Sequence, residues 1–228
     1  MSALLQPQEL VERMMVETRA RPWVALSSGG CGILACTTLG RHDEDYKGSR
    51  GISLDFAHRV VQTMAKSASS ERCATPQLLV ETAEAVVKDP KDAGLICTTW
   101  QYKPEAGVEI CSVGMTSVLV VEGDTVREAI LPHSVANAFL HRYGQKVSDP
   151  SRGTMASHVL GGNQSCSVDD VRVAHIPLLP TTTIALIANR RLADDILEQR
   201  VARDALPSFI DTWQPPGKRI RTSVLISL

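Results

Sequence analysis

The sequence predicts an α+β domain in which strands and helices are segregated rather than alternating. Strand-like runs gather in blocks, two amphipathic helical patterns stand side by side in the first half, and a last helical pattern precedes a closing strand. Size agrees with this: 228 residues, 43% of them apolar, suffice for one sizeable core and are too evenly mixed for disorder.

Residues 3–18 place Leu4, Leu5, Leu10, Val11, Met14 and Met15 among Glu9, Glu12, Arg13 and Glu17, a helical repeat with one polar face. The chain therefore divides into an N-terminal amphipathic helix over 1–20 and a single domain over 21–228. Trp23 to Leu26 and Ile33 to Cys36 are expected as a hairpin turned by Ser27-Ser28-Gly29-Gly30. Gly40 to Gly51, with His42, Asp43, Glu44, Asp45, Lys47 and Arg50, is too polar to bury itself and is expected as a surface loop.

Two helices follow. Ile52 to Lys66 puts Leu54, Phe56, Ala57, Val60, Val61 and Met64 on one side; Pro76 to Lys88 does the same with Leu78, Leu79, Ala83, Val86 and Val87, and Pro76 suits a first turn. Strands are expected at Leu95 to Trp100, Gly107 to Val113 and Thr116 to Val121, the last entering a hairpin through Glu122-Gly123-Asp124. Ser134 to Tyr143 reads as a helix stopped by Gly144. Ser148 to Asp170 is looser. Val171 to Ile176, Thr182 to Ala188 and Thr222 to Ser227 complete the strands, with one helix from Leu192 to Phe209 between the last two.

Composition also excludes some functions. Lys+Arg number 24 against 25 Asp+Glu, so no global field recruits nucleic acid or an anionic membrane. None of the six cysteines (Cys31, Cys36, Cys73, Cys97, Cys111, Cys166) forms a C-x-x-C pair, and their apolar neighbours suit buried free thiols in a reducing compartment. No apolar run approaches the roughly 20 residues that span a bilayer. A cytoplasmic protein is expected, of unspecified oligomeric state.

The stretch Ile110-Cys111-Ser112-Val113-Gly114-Met115-Thr116-Ser117, continued through Val118 to Val121 and Glu122-Gly123-Asp124 to Pro132-His133-Ser134, resembles the central signature of the type 2C protein phosphatases. There an apolar strand enters Val-Gly-Asp-Ser-Arg and a Gly-containing turn leads to Asp-His-Ser. Val159-Leu160-Gly161-Gly162, Thr182 to Arg190 and Thr222 to Leu228 are similar to later segments of that family in the same order, and Ile33 to Cys36 with the following Gly-bearing loop to an earlier one. The resemblance runs from about residue 23 to the end. It implies a four-layer α/β/β/α sandwich of two antiparallel sheets flanked by helices.

The family's activity implies paired manganese or magnesium ions held by aspartates at strand ends, which activate water for in-line attack on phosphorus. Here the Asp-Gly after the second strand is replaced within Cys36-Thr37-Thr38-Leu39-Gly40, the Asp of Gly-Asp-Ser-Arg is Met115, Ser-Asp-Gly becomes Ala188-Asn189-Arg190, and Asp-Asn-x-Thr becomes Arg219-Ile220-Arg221-Thr222. A cation at about 4 Å from another costs roughly 4 kcal/mol per pair of unit charges at an intermediate dielectric. The expectation is thus an inactive domain with no catalytic residue, no metal ligand and no cofactor. Its degenerate cleft, rimmed by Arg41, His42, Asn189, Arg190, Arg219 and Arg221, would bind a protein or phosphoprotein partner through guanidinium groups. Two alternatives stand beside it: an active phosphatase whose manganese or magnesium ligands have moved to Asp43, Glu44 and Asp45, and a structural subunit of a larger assembly.

Overall fold

The computed structural model describes residues 16–18, 23–28, 30–37, 45–67, 75–87, 94–103, 107–145, 156–161, 165–177, 179–214 and 222–227. Among these residues lie ten strands in two antiparallel sheets, and five helices. The strands are β1 (Val16–Thr18), β2 (Val24–Ser28), β3 (Cys31–Thr37), β4 (Leu95–Lys103), β5 (Gly107–Val113), β6 (Ser117–Glu122), β7 (Thr125–Ile130), β8 (Arg172–Ile176), β9 (Thr182–Ile187) and β10 (Thr222–Ser227). One sheet has the order β1-β10-β9-β6-β7 and the other β2-β3-β4-β5-β8.

Period-2 alternation sorts each strand's side chains between two cores. Leu34, Ile96, Trp100 and Ile110 of the second sheet meet Val118, Val120, Ile184, Leu186 and Val224 of the first in the inter-sheet core. Ile33, Ala35, Cys97, Cys111 and Val113 point the other way, onto Phe56, Val60 and Met64 of α1 (Asp45–Ser67) and Leu79 and Ala83 of α2 (Thr75–Val86). On the far side, Leu119, Ala185, Ile187 and Leu225 pack against Leu192 and Ile196 of α4 (Arg190–Glu198) and Ile210 of α5 (Leu206–Thr212). The remaining helix, α3 (Val135–Tyr143), is capped by the Ser134 side chain and stopped at Gly144 in the left-handed region. The result is the expected four-layer α/β/β/α sandwich. Ile110, Val113, Val118, Val120 and Leu186 are all buried as expected, although Val113 faces the helices rather than the sandwich centre.

Three segments differ from the sequence-based expectation. The helix over 3–18 does not reach its end, because Val16–Thr18 is a strand paired with β10 from Val16↔Val224 to Thr18↔Thr222; residues 3–15 lie outside the described residues. The free edge of β10 offers backbone partners there, which outweigh a weak helical period in a Val-Glu-Thr triplet. Second, helix α1 starts at Asp45, inside the segment expected as loop. Two polar turns propagate from a helix already fixed by Phe56, Val60 and Met64, since each added residue contributes a hydrogen bond once the nucleus exists; on this helix Leu54 is exposed after all. Third, the single helix from Leu192 to Phe209 is two helices, separated by Arg200 at φ 48° and a short 3-10 turn over Arg203–Ala205. Pro207 forces the division: without an N–H it is tolerated in a first turn, where α5 has it, and not inside a continuous helix.

Candidate functional site

Strand register brings one end of the sandwich together. In the first sheet Ser117 and Ser223 both lie opposite Ile187, so the start of β6, the end of β9 and the start of β10 are level. In the second, Thr37 lies opposite Leu95, Cys97 opposite Val113 and Ser112 opposite Arg172, which makes the end of β3, the start of β4, the end of β5 and the start of β8 level as well. Gly114 and Met115 connect the two sheets at this end. Residues 38–44 and 215–221, which continue from β3 and lead into β10, lie outside the described residues; so do Arg41, His42, Arg219 and Arg221 of the expected cleft, and Asp43 and Glu44 of the alternative one.

Backbone geometry fixes the connection. Gly114 sits at φ 100°, and a Cβ there would come within 2.4 Å of the Ile96 Cβ, so only glycine fits. Its carbonyl accepts from the His133 N–H at 2.6 Å, and its own N–H donates to His133 Nδ1 at 3.2 Å. An amide can only donate, so Nδ1 is the acceptor and the imidazole proton is on Nε2. His133 is 6% exposed. Burial, with like charge on Arg172 and His158, lowers its pKa from 6.5 to about 4.

Toward the inter-sheet core this end is apolar. Cys36, Ile96, Met115 and Ala188 all belong to that cluster. Burial pushes the Cys36 thiol far above its ordinary range, so it is neutral and not a thiolate ligand or nucleophile. Thr116 is fully buried, and its hydroxyl has no hydrogen-bond partner among the described residues. Paired hard dications require several anionic oxygens. Among the described residues no group of three or more His, Cys, Asp or Glu could hold a metal ion. The described side chains therefore do not fit manganese or magnesium.

Asn189 and Arg190 do come to this end, in roles the sequence did not show. Asn189 is the N-cap of α4, its Oδ1 accepting from the N–H groups of Arg191 at 3.1 Å and Leu192 at 3.3 Å. Arg190 is engaged on the helix-covered side of the first sheet: it donates to Ser117 Oγ at 3.2 Å, pairs with Glu128 Oε1, and meets Asp194 Oδ1 at 2.6 Å. Burial opposes the charge of Arg190, but these two carboxylates outweigh it and raise its pKa. This corrects the expectation of an open cationic grip, because the guanidinium is already matched. Five of the six cysteines are described, all buried and none in a disulfide among the described residues; Cys73 lies outside the described residues.

What sequence reasoning passed over is a basic cluster beside the connection. Arg172, at the start of β8, donates through Nη1 to the Leu131 carbonyl, two residues from His133. The His133 and His158 rings stand 4.7 Å apart between centroids, and Ser157 Oγ bonds His158 Nδ1 at 3.0 Å. Among the described residues no helix is long and apolar enough to cross a membrane.

Neither a protein-family model nor a curated protein matches the sequence. Solved structures do match the fold. The PPM Ser-Thr phosphatase of Mycobacterium smegmatis, solved with cacodylate, aligns with a TM-score of 0.67 at 15% identity, over 94% of this chain and 97% of that one. PppA of Pseudomonas aeruginosa, a key regulatory component there, gives 0.65 at 13% identity, over 94% and 96%. The serine/threonine phosphatase of Staphylococcus aureus gives 0.63 at 14% identity, over 95% and 94%. The chain has the fold of these solved structures, two of them serine/threonine phosphatases, along nearly its whole length.

Proposed function

We propose that this chain is a pseudophosphatase: a binding protein on a metal-dependent phosphatase fold, which takes a protein or phosphoprotein partner and does not hydrolyse it. One observation carries the reading. At the sandwich end where the resemblance expects carboxylates, the described positions include a neutral thiol, a thioether and an amide used as a helix cap, namely Cys36, Met115 and Asn189. None can anchor a hard dication or lower the pKa of a bound water. What the fold retains at this end is a set of level strand ends in both sheets, a platform that suits recognition. Buried free thiols are in keeping with a cytoplasmic setting.

Partner recognition in this reading rests on Arg41, His42, Arg219 and Arg221 rather than on Arg190, whose charge is occupied. The test is direct. The whole chain, with millimolar manganese or magnesium, should neither turn over a phosphopeptide or a generic phosphate ester nor melt at a higher temperature, because a cation binding at a hundredfold excess over its Kd would add about 2.7 kcal/mol. Metal-dependent turnover abolished by Asp43→Asn or Asp45→Asn overturns the reading in favour of a working phosphatase with moved ligands. A stable, concentration-independent oligomer without affinity for acidic or phosphorylated peptides overturns it in favour of a structural subunit.

A further inference from the structure

We infer that the apolar stripe of α3 is a docking surface for a second copy of this chain, and that residues 7–15 of that copy are what it takes. This surface is independent of the proposed function, since it uses neither the level strand ends nor the cleft arginines. Helix α3 is well capped: Ser134 Oγ accepts from the Asn137 N–H at 3.0 Å, and Asn137 Nδ2 donates to the Pro132 carbonyl at 2.9 Å. Yet none of its nine residues is buried. Val135, Ala136, Phe139, Leu140 and Tyr143 recur at helical spacing and form one apolar stripe. Leu140 is 43% exposed and Tyr143 55%, and the Phe139 and Tyr143 rings stand 4.6 Å apart between centroids, an aromatic pair at the surface. The helix is shorter than the roughly 12–15 residues an isolated helix needs, so a stripe of this kind gains its burial from a partner.

Outside the described residues, only the segment 1–15 holds more than two large apolar side chains; the segment that follows α3, 146–155, has Val147 and Met155 among Lys146, Ser148, Asp149, Ser151 and Arg152. Pro7 suits a first helical turn, and behind it Leu10, Val11, Met14 and Met15 repeat the spacing of Val135, Ala136, Phe139 and Leu140, which gives two stripes of matching width. Flexible thioethers pack well against aromatic rings, as Met14 and Met15 would against Phe139 and Tyr143. Charge agrees: α3 has no acid, Arg142 borders its stripe, and Glu12 borders the opposing one. The segment comes from a second copy because a chain's own is tethered at the wrong edge. Residue 15 joins β1 at one edge of the first sheet, whereas α3 follows β7 at the other, four strand spacings or about 19 Å away. As a helix, Leu10 to Met15 reaches only about 9 Å from Val16, which brings at most part of it to α3 of the same chain. A second copy has no such tether, and by exchange each copy supplies one segment and one helix to a two-fold dimer with two equal contacts.

Sedimentation of the whole chain is the test, with a monomer–dimer equilibrium across the micromolar range as the expected result. Leu140→Asp and Tyr143→Asp, both at exposed positions, and Val11→Asp on the opposing segment should each weaken the dimer about tenfold or more, with melting temperature unchanged. Mixing Leu140→Asp with Val11→Asp should recover part of the dimer, because the hetero-pair keeps one intact contact. Arg142→Glu should weaken it about fivefold, and Glu12→Arg in the same chain should restore it. A chain that stays monomeric across that range, a dimer that these substitutions leave unchanged, or a mixture that recovers nothing overturns the inference.

Discussion

His133 should make the domain sensitive to acid in a definite window, and His133→Asn should remove that sensitivity. In the folded protein its pKa lies at about 4, against 6.5 in the unfolded chain. Above pH 6.5 neither state holds the proton and the contribution to stability is complete. Between 6.5 and 4 the unfolded chain takes up a proton that the folded one refuses, so stability falls by about 1.4 kcal/mol for each pH unit. Below 4 both states are protonated and the loss levels off. Across the window it amounts to about 3 kcal/mol, a large part of the 5–15 kcal/mol typical of a domain. Protonation also puts a hydrogen on Nδ1, where the Gly114 N–H now donates, so the connection between the sheets should loosen first. Asparagine can accept the same N–H through Oδ1 and cannot titrate. Urea unfolding of both proteins from pH 4 to 8 is the assay: the difference between them should shrink steadily as pH falls, while carboxylates elsewhere affect both alike. Parallel curves would refute the reasoning.

Leu186→Ala, which empties a fully buried position between the two sheets, should cost about 2–5 kcal/mol by denaturant titration. Gly114→Ala should destabilise the fold strongly or prevent it, read as soluble yield and melting temperature, because it combines a left-handed φ with a 2.4 Å collision against Ile96. Asn189→Ala removes the cap of α4 and should cost about 1 kcal/mol. Arg190→Met should destabilise by roughly 1–3 kcal/mol by leaving Glu128, 12% exposed, without its partner, and adding Glu128→Gln should restore part of the loss in a double-mutant cycle.

Most of the architecture was legible because it rests on short-range patterns. Alternation along Ile110 to Val113 and Val118 to Val121, the Glu122-Gly123-Asp124 turn and the Ser134 and Gly144 caps are each written within a few residues, and each is realised. Where long-range partners decide, local reading fell short. Nothing in Val16-Glu17-Thr18 shows that residues 222–224 will pair with it. Arg190 looked like a cleft arginine because its partners Glu128 and Ser117 are 62 and 73 residues away. Arg172 carried no signal at all, since its place beside Leu131 depends on a contact 41 residues long. His133 was visible only as the middle of Pro-His-Ser; its acceptor role comes from the turn at Gly114.

The pairing of β1 with β10 bears on the order in which the chain can fold. Among the described residues β1 has no sheet partner other than β10, and β10 joins it to β9. During synthesis the first strand must therefore wait for nearly all of the described chain, whereas β2 to β5 of the other sheet pair in the order they are made. The second sheet, with α1 and α2 on it, can settle early at low loop-closure cost, and the first closes last across a separation of some 200 residues. Loosening residues 222–227 would accordingly release β1 at the same moment and expose the edge of β9. Fraying of β10 thus frees two strands that lie far apart in the sequence.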